Sequence, residues 1–162
     1  MNSLIEEWQK QKKNRQKAHK QFVKRLEKRK SKALSKLGEE LHENVFSEVS
    51  CLDCANCCTS IPPMASRADI SRIAKHLGMS KKEFEIQYLK IDEDGDKVIN
   101  QTPCPFLQSD NACLIYDVRP QACRKYPHTD NYEFAQHLNL HAQNSFYCPA
   151  VFHILERMEN LT

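Results

Sequence analysis

Apolar positions in the first third of the chain are sparse and spaced for a helix. Leu4 and Trp8 are followed by Ala18, Phe22 and Leu26, then by Ala33, Leu37, Leu41 and Val45. Most of the steps are four residues, which keeps neighbouring members on one drifting helical stripe. From Leu4 to Phe46 there is no proline, Gly38 is the single glycine, and the remaining residues are mostly strong helix formers. The pattern predicts a long helical arm whose narrow stripe must pack on something. Gly38 marks a candidate break between two helices.

After residue 48 the periods shorten. Ile61-Pro62-Pro63 excludes a helix. Ser66 to Asp69 reads as a capping box opening a helix, with Ile70, Ile73, Ala74 and Leu77 on one face and Gly78 at its stop. Ser80 to Glu83 opens a second, shorter helix that carries Phe84, Tyr88 and Leu89. Asp94-Gly95, lying between Ile91 and Ile99, predicts a hairpin. The carboxylates of Asp92, Glu93, Asp94 and Asp96 lack the spacing and distal Glu of a calcium loop, so they read as a solvated tip. Residues 104–107 and 113–116 read as two short strands around a turn at Ser109-Asp110-Asn111. Residues 118–125 read as a short helix with Asp117 as N-cap, and 132–141 as a strand or irregular segment. Pro149 begins a last helix with Val151, Ile154, Leu155 and Met158 on its apolar face. The expected fold class is mainly α with small β hairpins (α+β). A long N-terminal helical arm, residues 1–47, packs on a small cysteine-rich metal-binding domain, residues 48–162.

Composition changes this picture in one respect, the distribution of charge. Residues 1–36 hold 13 Lys and Arg against three acids, whereas the remainder holds 11 against 18. A basic arm is joined to an acidic body. Residues 1–36 are therefore a candidate surface for nucleic acid or an acidic partner, although no zinc-finger, RNA-recognition or OB-fold signature accompanies them. The alternatives are a solvated helix docked on the body, or an arm neutralised by the chain's own acids. With only three glycines among 162 residues, a many-turned β sandwich is not expected. No apolar run approaches the ~20 residues that cross a bilayer, so no membrane partner is expected. The first residues lack the apolar stretch of a signal peptide, which makes a cytoplasmic, reducing location the expectation. There, clustered cysteines serve metals or catalysis rather than disulfides.

The eight cysteines carry the chemistry. Cys51, Cys54, Cys57 and Cys58 form a C-x2-C-x2-C-C run, and Cys104, Cys113, Cys123 and Cys148 follow singly. Thiolates are soft ligands that suit zinc, copper(I) or iron–sulfur clusters. Cys51, Cys54 and Cys57 have the rhythm of a bacterial 4Fe–4S ligand run, which ends in a more distant Cys-Pro. Cys104-Pro105 and Cys148-Pro149 both offer that pair, at other spacings. Adjacent side chains such as Cys57 and Cys58 diverge, so either the pair serves two centres or one member is supporting, redox-active or simply buried, as Cys58 or Cys113 could be. Two zinc sites of four thiolates each, or one four-iron cluster with spare thiols, both fit the count. Arg119 and Arg124 flank Cys123, either to stabilise a thiolate centre or to pair with acids such as Asp117. Of the histidines, His128 lies close to Cys123 in sequence. His19, His42, His76 and His153 read as surface or capping residues, and His137 and His141 lack an H-E-x-x-H motif.

C-L-D-C-A-N-C-C at 51–58, C-P-F-L at 104–107, C-L-I-Y-D-V-R-P-Q-A-C-R-K-Y-P at 113–127 and C-P-A at 148–150 together resemble the YkgJ-type cysteine-cluster family. That family is described as a zinc- or iron-chelating domain with a C-x2-C-x2-C-C signature. The resemblance covers about residues 48–157 and includes every cysteine. It implies metal ligation by Cys51, Cys54, Cys57, Cys58, Cys104, Cys113, Cys123 and Cys148, with an iron–sulfur cluster, 4Fe–4S foremost, or zinc as cofactor. Many relatives carry Gly within the first motif, where Ala55-Asn56 stands here. Flagellin lysine methylases look similar in cysteine pattern, but this chain leaves little room for a separate catalytic domain. No nucleotide-binding loop, nucleophile triad or radical-type C-x3-C-x2-C motif is present, so no catalytic residue is assigned.

Overall fold

The computed structural model describes residues 2–130 and 132–162. The chain is mainly α-helical with one small antiparallel sheet of two strands. Its backbone divides into two compact units, one of Met1–Cys54 with Pro127–Thr162, the other of Ala55–Tyr126.

The first unit is built on α1 (Ser3–Glu27), α2 (Lys32–Phe46), α3 (Cys51–Cys54), α8 (Leu138–Asn144) and α9 (Pro149–Leu161). Asn2 caps α1 by accepting the Leu4 N–H, and Ser31 caps α2 by accepting the Leu34 N–H. The arm therefore breaks at residues 28–31 and not at Gly38. Gly38 lies inside α2 because a Cβ there would stand 2.4 Å from Phe134 Cγ. The glycine is used for close approach, not to end a helix. Helix α1 packs on α8 and α9, and α2 packs on α9 and on a 3-10 turn at Phe134–Gln136. Trp8, Phe22, Leu26, Leu41, Val45, Phe134, Leu138, Phe152 and Leu155 are among the buried residues of this core.

Two of the arm-stripe residues shift, since Ile5 and Leu34 are buried where Leu4 is half-buried and Ala33 is exposed. His19 and His153, expected at the surface, are buried. His19 joins Ser145 Oγ at 2.9 Å and Glu156 Oε1 at 2.6 Å, and His153 Nε2 donates to the Leu4 carbonyl. Burial lowers the His19 pKa even against the pull of Glu156. Polar tips satisfied by specific partners let both rings enter the core. The 132–141 segment contains no strand. It forms the 3-10 turn and the start of α8, with Leu138 and Ala142 facing inward.

The second unit holds α4 (Asn56–Ser60), α5 (Arg67–Leu77), α6 (Lys81–Tyr88), β1 (Leu89–Ile91), β2 (Lys97–Ile99) and α7 (Gln121–Lys125). Both predicted capping boxes form, Ser66 with Asp69 and Ser80 with Glu83, and Gly78 ends α5 at φ 69°. The hairpin pairs Leu89 with Ile99, Lys90 with Val98 and Ile91 with Lys97. At its tip Asp92 Oδ1 accepts the N–H groups of Asp94 and Asp96. Ile70, Ile73, Phe84, Ile99, Phe106 and Ile115 fill this unit's core. The two strands expected at 104–107 and 113–116 reduce to a single bridge between Leu107 and Cys113. Residues 118–125 are not one helix: a 3-10 turn at Tyr116–Val118 precedes α7, and Pro120, not Asp117, stands at the α7 N-cap. Among the described residues no helix is long and apolar enough to cross a membrane.

Candidate metal centre

None of the eight cysteines forms a disulfide. The unit boundary after Cys54 sorts them into two groups. The second unit holds Cys57, Cys58, Cys104, Cys113 and Cys123; the first holds Cys51, Cys54 and Cys148.

In the second unit, Cys57 and Cys58 lie on the short α4, which follows Ala55 at φ 50°. Left-handed backbone is cheapest for glycine, and here an alanine adopts it. Cys58 stands apart from the other thiols in its acidity. A hydrogen bond from Cys57 is the main cause of its pKa falling to about 7, against the effect of burial. Its charge is felt by Cys104, Cys113 and Cys123. The backbone ties Cys104 to α4, as the Cys104 N–H donates to the Cys58 carbonyl at 2.8 Å. Burial raises the thiols of Cys104 and Cys113 and pushes that of Cys123 to about 12, and neighbouring thiols add to each rise. Arg119 opposes the rise at Cys113 and Cys123.

Local geometry works against burial at the Cys-Pro pairs. The amides of Phe106 and Leu107 favour the Cys104 thiolate, and those of Ala150 and Val151 favour that of Cys148. In both, the two N–H groups come from the second and third residues after the cysteine. Proline has no N–H of its own, and it fixes the first step of a turn that aims the next two amides back at the sulfur.

In the first unit, Cys51 and Cys54 sit at the two ends of α3, and Cys148 directly precedes α9. Burial pushes the Cys148 thiol to about 12, with repulsion from Cys51 and Cys54 contributing. Lys12 of α1 is felt electrostatically by Cys54, and its ammonium lies 4.1 Å from the Trp8 ring centre. Nothing in the sequence singles out this lysine, one of many on a basic helix.

Cys123 is positioned by residues that sequence reading did not connect with it. Asp69 is 2% exposed. Its carboxylate accepts the Ser66 N–H in the α5 capping box, pairs with Arg72 at 2.6 Å and accepts the Gln121 N–H at the start of α7. Arg72 also donates to the carbonyls of Val118 and Arg119. One buried carboxylate thus fixes both α5 and the helix that carries Cys123. The two arginines flanking Cys123 divide their roles. Arg124 donates to the carbonyls of Asp117 and Arg119, while Arg119 supplies positive charge near the sulfurs.

Among the described residues no three His, Cys, Asp or Glu side chains, as oriented, converge on one ion. The donor set still fits a thiophilic centre. Soft sulfurs with amides aimed at the Cys-Pro thiols suit zinc or an iron–sulfur cluster, and metal binding would displace the thiol protons that burial now retains. His128, at φ 68°, lies in the first unit with His137 and His141, and not in the unit that holds Cys123.

Comparison with curated proteins and with solved structures gave no match. A family model does match residues 50–148, a span that includes every cysteine. The chain belongs to the family described as "CxxCxxCC: Putative zinc- or iron-chelating domain".

Proposed function

We propose that this is a cytoplasmic metal protein whose cysteines hold an iron–sulfur cluster, 4Fe–4S foremost, or zinc. The observation that carries the reading is the pair of Cys-Pro turns, each aiming two amides at a sulfur that burial otherwise keeps protonated. Such donors stabilise an anion, and a buried thiolate needs a cation beside it. Cys57, Cys58, Cys104, Cys113 and Cys123 supply at least the four thiolates of a closed zinc or cluster site. Cys51, Cys54 and Cys148 supply three, the protein-ligand number of a zinc site that keeps an open position. When bound, the centre would supply either structural cross-linking or electron transfer. The chain's own residues orient the sulfurs and set their charge. Anaerobic purification with iron, zinc and acid-labile sulfide measured per chain tests this. Sulfide with iron identifies a cluster, zinc without sulfide identifies a zinc site, and a folded chain with neither sinks the proposal.

A second reading concerns the arm. Lys10, Lys13, Lys17, Lys20, Lys24 and Lys28 are exposed along α1 and its C-cap at steps of three and four. Among the described residues none of these six makes an ion pair, whereas Arg15 and Arg25 are engaged by Glu156 and Glu159. A stripe of unpaired lysines roughly 27 Å long, at 1.5 Å per residue, suits a polyanion such as nucleic acid or an acidic protein face. Lys13→Gln with Lys17→Gln and Lys20→Gln should weaken binding to a mixed-sequence RNA or DNA and reduce its salt slope by about two to three. Binding unaffected by the triple substitution rules the stripe out.

A further inference from the structure

His141 is fully buried, yet among the described residues its Nδ1 has no hydrogen-bond partner. Its other nitrogen, Nε2, lies 3.0 Å from the Phe134 carbonyl oxygen. That oxygen can only accept, so Nε2 carries the proton. A second proton on Nδ1 would bury an uncompensated charge, so Nδ1 presents a bare lone pair. The ring cannot easily turn away, because it stacks on Phe134 at 4.2 Å between centroids. A histidine whose one N–H is fixed by a backbone carbonyl while its other nitrogen is left bare has the form of a metal ligand.

Two further imidazoles stand beside it in the same unit. His137, one helical turn earlier, is 6.3 Å from His141 between ring centroids, and His128 is 6.4 Å from His137. Rings sharing one zinc at about 2.0–2.1 Å per nitrogen have centroids roughly 5 Å apart. The observed spacings are therefore about an ångström too wide for coordination as the rings stand. His128 and His137 are only partly buried, whereas His141 is fully buried and stacked on Phe134. Glu133 Oε2 lies 3.8 Å from His137 Nε2 and adds a carboxylate to the group.

We propose that His128, His137 and His141 form an imidazole site for a divalent transition metal, separate from the cysteine groups and independent of whether those hold iron or zinc. Imidazole nitrogens with one carboxylate suit Zn(II), Ni(II) or Co(II), rather than the hard cations calcium and magnesium. The ring of His141 would be the fixed ligand, and the other two would close on the ion. A water bound at Nδ1 is the competing explanation for the bare nitrogen.

The test uses the full chain, purified anaerobically, with its cysteine-held metal quantified first. Titration with Co(II) should add one ion per chain, with ligand-field bands that lack the sulfur charge-transfer absorption of a thiolate complex. His128→Ala with His137→Ala, both at partly exposed positions, should weaken that binding by more than roughly tenfold and leave the cysteine-held metal unchanged. His141→Gln is a third variant, admitted only if its circular dichroism matches the parent. Unchanged Co(II) affinity in the double variant, or no Co(II) uptake beyond the sulfur-bound fraction, overturns the proposal. Loss of the cysteine-held metal in the double variant would overturn it as well, because the imidazoles would then belong to that centre.

Discussion

Gly38 shows how a single residue decides an approach between elements. In an exposed helix interior, Gly→Ala gains about 1 kcal/mol of helix propensity. Here a methyl group would sit 2.4–2.7 Å from three ring carbons of Phe134. Phe134 is fully buried and has no room to retreat. Overpacking of this kind costs about 1–3 kcal/mol, so Gly38→Ala should destabilise the protein overall by up to about 2 kcal/mol. Urea unfolding reads this directly, and a variant at least as stable as the parent would show that Phe134 can move. The same ring supports His141, so the substitution should also weaken Co(II) uptake at the imidazole group. Ala55 is the reverse case, a residue with a side chain in the left-handed region where glycine would be at ease.

Among the elements, α5 and α7 depend on one carboxylate. Asp69→Asn removes the charge that pairs with Arg72 and weakens the acceptor for Gln121 N–H. Breaking a largely buried pair of this kind should cost about 2–3 kcal/mol. Burial raises the Asp69 pKa, but the bonds from Ser66, Arg72 and Gln121 outweigh it and hold the group below its ordinary value. A depressed folded pKa gives stability that is complete above the unfolded value of about 3.9. It is lost as pH falls through the lower folded value. The stability gap between parent and Asp69→Asn should therefore be full at pH 7 and shrink in acid, as read by urea titrations down to pH 3. A gap constant with pH would mean that the carboxylate charge does no work. How much of this was legible beforehand follows from how local each signal is. The capping boxes at Ser66 and Ser80 and the start at Pro149 were readable because a cap is settled within four residues. The link from Asp69 to Gln121 was not, because only tertiary packing brings them together. The same holds for α8, whose inward residues Leu138 and Ala142 are interspersed with His and Asn and give no clean period. Ser31 was missed because the drifting apolar stripe runs on past it.

At the scale of the whole molecule, the spacing of the eight cysteines was legible, but their grouping was not, since that depends on where the chain returns. Residues 127–162 come back to the first helices, and so Cys148 joins Cys51 and Cys54. Each group borders its own apolar core: Cys54 and Cys148 pack against one, Cys104 and Cys113 against the other. Separate cores predict separable protection. In anaerobic, metal-loaded protein, alkylation by iodoacetamide should be slow at the buried ligands and fast at any thiol left unbound. Cys123→Ser should speed labelling of Cys57, Cys58, Cys104 and Cys113 by more than tenfold, because removing one ligand frees its partners. Cys51, Cys54 and Cys148 should keep the parent's rates. The mirror variant, Cys148→Ser, should release Cys51 and Cys54 and leave the five-thiol group protected. Peptide mass spectrometry reads each thiol separately. If either substitution releases all eight together, the groups do not hold their metals independently. If neither changes any rate, the thiols are not ligands, and the amides aimed at Cys104 and Cys148 need another explanation.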